Sequence, residues 1–292
     1  MSDMSPDCLP VRYFCTAGNG METFVVDEVK RKVEAQDVIK LQGKVIFSSP
    51  ANIKSIINLK SAERLFLLLN YDTALKLPST STKDVSKVLG ARLSTLLSWK
   101  VDLKNPHIEV NVNLTDDYCL QGIPLTKFPL ANRNYIQTTG LRSTIAWAMA
   151  SVAQIQAGSF VVDPMCGVGT ILIEAAKEHS DVYFLGIDID DEQLIKANRN
   201  VAYAHLEDKI QVIKASSLVL PLHSESVDAV VCDLPFGRKF GTKVDAAINL
   251  PLILSEMTRV LRVGGILVLL LSPQLSCQIK RLLTQEKSNS VV

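Results

Sequence analysis

The fold is decided near the middle of the chain, by the stretch FVVDPMCGVGT at residues 160–170. An apolar strand pattern ends in Asp163, and two glycines then lead into a run with helical spacing. Gly167 and Gly169 allow a tight turn and a close approach of the backbone to a ligand. Such a turn is typical of the ligand loop of an α/β domain, but alone it is weak support for any one ligand.

Around this loop, strands and helices alternate through the second half of the chain. The predicted strands are 160–163, 182–188, 210–215, 227–232 and 265–271, and the predicted helices are 141–156, 170–177, 191–204 and 248–261. The strands are almost continuously apolar, which indicates parallel strands buried on both faces. We therefore predict an α/β, Rossmann-like doubly wound sheet of order 3-2-1-4-5, with its ligand at the carboxyl ends of the strands.

Two carboxylates suggest which ligand the loop binds. Asp188 ends the next predicted strand, about 20 residues on, where it can accept hydrogen bonds from two ribose hydroxyls. The third glycine of the dinucleotide fingerprint is replaced by Leu172. Asp163 lies where a pyrophosphate would approach and repels it, but it suits a ligand with an amino group and a sulfonium. These features favour S-adenosylmethionine over NAD, and a plain glycine turn remains the alternative.

A second motif follows the fourth predicted strand, Asp233-Leu234-Pro235-Phe236. The Asp233 carboxylate and the Leu234 carbonyl can each accept one N–H of an exocyclic amine and so align its nitrogen with a methyl group. Asp233 can also take the proton that the amine loses. Pro235 fixes the turn, and Phe236 offers a face on which an extruded base can stack. An ordinary turn is the alternative for this motif taken alone.

The first 130 residues follow a different pattern. Strand, helix, strand, strand, helix and strand are predicted at 11–16, 23–35, 38–41, 45–48, 50–59 and 65–71, the order of a ferredoxin-like unit. A helix from residue 82 to about 99 and a strand pair at 108–114 and 118–122 come next. Residues 1–150 hold 18 Lys and Arg against 14 Asp and Glu, a weak positive excess, whereas the whole chain has net charge +1.

Composition excludes several classes of protein. A hydrophobic fraction of 47% excludes a disordered chain. The six cysteines contain no C-x-x-C pair and the four histidines do not cluster with them, so we predict no metal site. The longest apolar run, 266–271, is far shorter than the roughly 20 residues of a membrane span. No signal-peptide pattern follows Met1, so we predict an intracellular protein with reduced thiols.

At its motifs the sequence resembles the THUMP-domain-containing RNA guanine-N2 methyltransferases. The similar residues are the loop 163–170, Asp188, the run 233–237 and an upstream run, 129–142. The resemblance implies a ferredoxin-like domain at 1–75, a partial THUMP domain at 76–127 and a methyltransferase domain at 128–292. It implies methyl transfer from S-adenosylmethionine to N2 of a guanosine in structured RNA, with transfer RNA as the first expectation and small nuclear RNA as the second, in the nucleus or the cytoplasm.

The resemblance also assigns residues and a partner. The cofactor candidates are Asp163, Cys166, Gly167, Gly169, Thr170, Asp188, Ile189, Ser216 and Asp233, and the guanine candidates are Asp233, Leu234, Pro235 and Phe236. Ser216 stands where the family usually has an acidic residue. The implied partner is a small zinc-binding activator subunit, which would add a strand to the predicted edge strand 210–215. The zinc would belong to that partner.

Alternatives remain open on the residues alone. An adenine-N6 or a protein-glutamine methyltransferase would share the Asp-x-Pro-aromatic logic of the second motif. A non-catalytic RNA-binding isoform is suggested by the short THUMP region and by the end of the chain soon after the fifth strand. An apolar sheet edge at 268–271 is expected in that case.

Overall fold

A computed structural model of the chain describes residues 10–73, 82–98, 100–102, 104–234, 243–273, 275–277 and 279. The chain divides into two compact units, Met1–Leu130 and Ala131–Val292. No helix within these described ranges is long and apolar enough to cross a membrane.

The first unit is an α+β unit with one antiparallel sheet. Its elements are β1 Val11–Thr16, α1 Glu22–Val33, β2 Gln36–Leu41, β3 Lys44–Ser49, α2 Ile53–Ile56, β4 Arg64–Thr73, α3 Thr82–Leu97, β5 Asn111–Leu114 and β6 Tyr118–Pro124. The sheet order is β2-β3-β1-β4-β6-β5. The predicted ferredoxin-like order of elements is confirmed. Because β5 and β6 extend the same sheet beyond β4, a domain boundary at residue 75 stays a prediction.

Two predicted boundaries in this unit are wrong. The helix expected over 50–59 covers only Ile53–Ile56, because the Asn52 side chain caps it by accepting a hydrogen bond from the Ser55 N–H at 3.0 Å. The strand expected from residue 108 begins at Asn111, because its pairing with β6 starts there, opposite Gly122.

A buried carboxylate ties α1 to the segment that follows α2. Glu28 is fully buried, and its oxygens accept hydrogen bonds from the Lys60 N–H, the Ser61 N–H and the Ser61 hydroxyl at 2.6–3.0 Å. The Lys32 ammonium lies 3.0 Å from it. These donors and this charge stabilise a group that would otherwise be costly to bury.

The second unit is a parallel sheet with helices between its strands. Its elements are α4 Ser143–Val152, β7 Phe160–Asp163, α5 Thr170–Glu178, β8 Tyr183–Asp188, α6 Asp191–Tyr203, β9 Ile210–Lys214, β10 Val227–Asp233, α7 Lys243–Val260 and β11 Leu261–Leu270. The sheet order β11-β10-β7-β8-β9 confirms the predicted 3-2-1-4-5 order, with β9 at one end. Two hydrophobic clusters pack against it.

Three boundaries of the second unit differ from prediction. The helix expected over 141–156 ends at Val152, since Gln154 adopts a left-handed φ of 51°. The last helix begins at Lys243 and the last strand at Leu261, both earlier than predicted. The expected apolar edge at 268–271 is half-buried, because its side chains pack against the two clusters.

Candidate functional site

Three aspartates meet at the carboxyl edge of the parallel sheet. Asp163 ends β7, Asp188 ends β8 and Asp233 ends β10, and these strands are neighbours in the order β10-β7-β8. Parallel strands bring their carboxyl ends to one edge, so the chain topology alone gathers the three carboxyls. Predicted cofactor residues 163–170 and 188–189 lie at this same edge.

The glycine loop leads from β7 into α5 through two left-handed residues. Gly167 has φ of 52° and Gly169 has φ of 80°, conformations that strain residues with a Cβ. The Gly169 N–H donates to the Cys166 carbonyl at 2.8 Å and closes the turn. Gly169 then caps α5, so the loop presents the helix N-terminus to the edge.

Asp188 holds the glycine loop and keeps acceptor capacity. One carboxylate oxygen accepts from the Gly167 N–H at 2.8 Å, and the other accepts from the Asp190 N–H at 2.9 Å. Each carboxylate oxygen has a second lone pair. The carboxylate can therefore order the loop and still accept hydrogen bonds from ribose hydroxyls.

Asp163, predicted to carry a charge that faces the ligand, is enclosed deeply in the fold. Its side chain is 1% exposed and accepts a hydrogen bond from the Met165 N–H at 3.1 Å. Burial, together with the charges of Asp233 and Asp188, raises the pKa of Asp163 to about 8. The group is thus mostly protonated at neutral pH until a positive charge comes near.

Thr170 and Gly140 lie side by side next to the loop. The Thr170 hydroxyl is buried and has no hydrogen-bond partner within the described part of the chain. A Cβ added to Gly140 would come within 2.8 Å of a Val168 methyl group and 3.6 Å of this hydroxyl. An orphaned hydroxyl and partly used carboxylate acceptors fit a polar cofactor with amino and hydroxyl groups.

Ile189 and Ser216 lie farther along the edge. Ile189 follows Asp188 and its side chain is 67% exposed, which makes an apolar face available to a flat ring. Ser216 follows Ala215, whose N–H donates to the Asp188 carbonyl at 3.1 Å. The Ser216 hydroxyl is half-buried and accepts from the Leu218 N–H at 3.2 Å. Both therefore stand beside the Asp188 end of the site.

Cys166 shapes the loop through its backbone. Its N–H donates to the Ile187 carbonyl at 2.9 Å, and its buried Sγ atom would lie 2.9 Å from a Cβ added at Gly186. Burial raises the pKa of the Cys166 thiol, so the group is an inert thiol and not a thiolate. Direct contact of Cys166 with a cofactor stays a prediction.

The guanine candidates are only partly described. Asp233 is half-buried at the end of β10. The Leu234 side chain is buried, and its N–H donates to the Leu270 carbonyl of β11 at 3.3 Å, while the role of its own carbonyl stays a prediction. Pro235 and Phe236, with the basic residues 238 and 239 that follow, lie outside the described residues.

Two buried polar clusters were not predicted from the sequence. The Arg133 guanidinium forms a bidentate ion pair with the Glu174 carboxylate of α5, with N–O distances of 3.0 and 3.2 Å. The Tyr135 hydroxyl donates to the same carboxylate at 3.0 Å. Asn200 of α6 bonds the backbone at Thr138 and Val168. The upstream run 129–142 was the only signal, and it came from resemblance and not from periodicity.

Among the described residues, no group of three or more His, Cys, Asp and Glu could hold a metal ion. The described cysteines are all free.

The sheet order, the glycine loop and the acidic edge together define a class I S-adenosylmethionine-dependent methyltransferase fold. The same fold occurs in a solved structure, TrmN from Thermus thermophilus, which is 20% identical in sequence. The superposition covers 89% of this chain and 88% of the TrmN chain, with a TM-score of 0.73. Residues 131–289 match the UPF0020 family model, described as the RMKL-like methyltransferase domain. The chain belongs to this methyltransferase family.

Curated relatives agree with the family. The human U6 snRNA (guanine-N(2))-methyltransferase THUMPD2 is 53% identical over 192 residues, 66% of this chain and 37% of that protein. The mouse protein of that name is 33% identical over 397 aligned residues, which cover 89% of this chain and 74% of that one. The tRNA (guanine(6)-N(2))-methyltransferase THUMP3 of Bos taurus is 34% identical over 69% of this chain and 42% of its own length.

The relatives are longer than this chain. The match spans little more than a third of the human protein. The mouse alignment of 397 positions exceeds the 292 residues of the chain, so the mouse protein has stretches with no counterpart here.

Proposed function

We propose that the protein is an S-adenosylmethionine-dependent RNA methyltransferase that acts on the exocyclic N2 amine of a guanosine. The observation that carries the proposal is the meeting of Asp163, Asp188 and Asp233 beside the glycine loop. The RNA guanine-N2 activities of the relatives named above support the choice of base.

The cofactor site is proposed from the geometry of the edge. Asp188 would accept the ribose hydroxyls while it orders the loop, and Ile189 and Ser216 would contact the adenine ring from its face and its edge. The Thr170 hydroxyl and the backbone of Gly167 and Gly169 would face the amino-acid end. When bound, S-adenosylmethionine supplies an electrophilic methyl group.

The catalytic work of the chain is then orientation and proton acceptance. An exocyclic amine conjugated with a base is a poor nucleophile, so alignment contributes much of the rate. Asp233 and the Leu234 carbonyl would each accept one N–H of the amine. As the amine nitrogen takes the methyl group that the cofactor would supply, Asp233 would accept the amine proton and pass it to water. Pro235 and Phe236 are proposed, from the sequence, to hold the base.

A small nuclear RNA of the U6 type is the substrate favoured by similarity. The relative named for U6 snRNA is 53% identical and the relative named for tRNA is 34% identical. This reverses the order expected from the family, in which transfer RNA came first. With either RNA as substrate, the proposed location of the enzyme is the nucleus or the cytoplasm.

The activator subunit is proposed to dock along β9. This strand ends the sheet and is a template for strand addition. Tyr183, at the start of β8, and Ile195 and Tyr203 of α6 expose apolar surface nearby. A cavity of about 350 Å³ opens at the amino ends of these strands, and it is lined by Phe160, Tyr183, Phe184, Leu185, Asp208, Lys209 and Gln211. Co-expression with the zinc-binding activator should yield a stable complex, and separate elution of the two chains would contradict the proposal.

Nucleoside analysis tests the reaction. Full-length protein, the activator and methyl-labelled S-adenosylmethionine are incubated with U6-type snRNA or with tRNA, and the digested RNA is examined by mass spectrometry. Labelled N2-methylguanosine is expected, more from the snRNA than from the tRNA. Labelled methyladenosine would overturn the choice of base. Cofactor binding without any labelled nucleoside would instead favour the non-catalytic RNA-binding alternative.

A further inference from the structure

One buried amide in the second unit has every hydrogen-bonding position filled. Asn200 is fully buried on α6. Its oxygen accepts from the Gln137 N–H at 3.1 Å and the Thr138 N–H at 2.9 Å, and its nitrogen donates to the Thr138 carbonyl at 2.7 Å and the Val168 carbonyl at 2.9 Å. An amide has two donors and two acceptor lone pairs, so no capacity is left for a ligand.

These four bonds join the glycine loop to a segment far away in sequence. Val168 lies between the two left-handed glycines, and its carbonyl belongs to the same planar peptide group as the Gly169 N–H. That N–H donates to Cys166 at 2.8 Å, so the peptide group is held on both sides. Asp188 holds the preceding Gly167 N–H. The loop is thus fixed by Asp188 at one point and by Asn200 at the next.

The other partner of Asn200 is the strap, which we define as residues 133–140. Its start is held to α5 by the Arg133–Glu174 contact, and Ile136 is buried in the core. Its end at Gly140 lies so close to Val168 that an added Cβ would meet a methyl group at 2.8 Å. The strap therefore runs directly over the glycine loop, and Asn200 sets the spacing between them.

We propose that Asn200 is a positioning residue for the cofactor site, one that fixes the glycine loop against the strap without touching the cofactor. The inference rests on the proposed function, since it assumes that this loop binds S-adenosylmethionine. It adds a residue that neither motif contains. Loss of the donors to Val168 and Thr138 would let the loop and the strap separate and would misplace the Gly167 and Thr170 groups.

The sharpest variant is Asn200→Asp, which keeps the shape and the two accepted bonds but replaces both donors with an oxygen. Two carbonyls would then face a carboxyl group. A protonated carboxyl regains one donor, so the defect should be largest at high pH and partly repaired at low pH. Asn198→Ala on the same helix is the matched control, because Asn198 is exposed and its amide donates to Leu194 of its own helix.

Calorimetric titration of S-adenosylhomocysteine into the full-length chain at pH 6 and pH 8.5 provides the test, with thermal unfolding of each ligand-free variant in parallel. At pH 8.5, we expect Asn200→Asp to bind S-adenosylhomocysteine at least about tenfold more weakly than wild type does. At pH 6, the difference in affinity between this variant and wild type should shrink. Asn198→Ala should bind within twofold of wild type at both pH values. If Asn200 had only a structural role, Asn200→Asp would lower the unfolding temperature, but its affinity relative to wild type would not depend on pH. A folded Asn200→Asp that binds within twofold at both pH values would overturn the inference.

A second variant applies where Asn200→Asp fails to fold. Gly140→Ala perturbs the same contact from the strap side, by pressing a methyl group onto Val168, and Gly140 has an exposed backbone position. Weakened binding of S-adenosylhomocysteine is expected here too, and unchanged binding would overturn the inference. If wild type itself binds no S-adenosylhomocysteine, the proposed function fails and this inference fails with it. Binding by wild type and by both variants alike refutes the positioning role alone.

Discussion

Two fully buried carboxyl groups, Glu28 in the first unit and Asp163 in the second, occupy opposite kinds of surroundings. Glu28 accepts hydrogen bonds from Lys60 and Ser61 and lies 3.0 Å from the Lys32 ammonium. Asp163 accepts from the Met165 N–H, and its charged neighbours are two further carboxylates. The first carboxyl is satisfied by its own fold. The second is held in an unfavourable state that a cationic ligand would relieve, which is the pattern of a functional site.

The functional role given to the acidic edge would be refuted if the edge could lose a carboxyl group without loss of methyl-transfer activity. Asp233→Ala should lower methyl transfer at least about 1,000-fold, because orientation of the amine and proton acceptance are lost together. Binding of S-adenosylhomocysteine should stay within a few-fold of wild type. Single-turnover transfer and calorimetry measure the two effects. Asp181→Ala, an exposed aspartate before β8, is the control and should remain fully active.

Removal of the satisfied carboxyl should act on stability instead. Glu28→Ala leaves the N–H donors of Lys60 and Ser61 without their buried acceptor and should lower the free energy of unfolding by about 2–4 kcal/mol. Chemical denaturation measures the change. Asp27→Ala, one residue earlier on the exposed side of α1, should change stability by less than about 0.5 kcal/mol. Equal effects of the two variants would refute the role given to Glu28.

Removal of the Asp163 carboxyl should raise the stability of the fold, the opposite of the effect expected at Glu28. The pKa of Asp163 is raised to about 8 from an ordinary value of 3.8, so the folded state binds more protons than the unfolded chain between these values. Stability from this group therefore falls as pH rises through that window.

Asp163→Asn removes this titration while an amide oxygen can still accept from Met165. At pH 8, the unfolding temperature of the variant should exceed that of wild type by at least about 3 °C, since about 1 kcal/mol of stability corresponds to a few degrees. At pH 5, this difference in unfolding temperature should be smaller. Differential scanning fluorimetry across pH is the measurement. A variant less stable than wild type at pH 8 would show that the carboxyl is needed for folding.

The smallest effect is expected from an exposed pair at the same edge. Lys214 at the end of β9 and Asp191 at the start of α6 lie 2.5 Å apart, with both side chains more than half exposed. Lys214→Ala should change the free energy of unfolding by no more than about 0.5 kcal/mol, and added salt should remove the difference. A larger, salt-resistant loss in urea denaturation would mean that exposed charges, and not only buried ones, matter at this edge.

The parallel sheet could be predicted from the sequence because its signals are local. Each strand is an apolar run, and Asp163, Asp188 and Asp233 each follow such a run directly. Parallel topology then brings these ends together with no further information. The glycine positions are equally local, since Gly167 and Gly169 adopt the left-handed conformations that their residue type permits.

The contacts between distant segments could not be predicted in this way. Asn200 bonds to residues 32 to 63 positions earlier, and in the sequence it is one polar residue on an amphipathic helix. The Arg133–Glu174 contact spans 41 residues. Burial of Asp163 also depends on what packs around the strand end. Periodicity indicates which way a side chain points but not which group it contacts. The protonation of Asp163 could therefore not be predicted from the sequence alone.

Titration of the cofactor across pH tests most directly the claim that this edge is a site for a cationic cofactor. S-adenosylmethionine and S-adenosylhomocysteine are titrated into the full-length chain by calorimetry at pH 6, 7, 8 and 9. A positive sulfonium favours the ionised Asp163, so the preference for S-adenosylmethionine over the neutral product should grow as pH rises through about 8 and should be flat in Asp163→Asn. Failure of both ligands to bind, or a preference that is equally independent of pH in wild type and variant, would contradict the account.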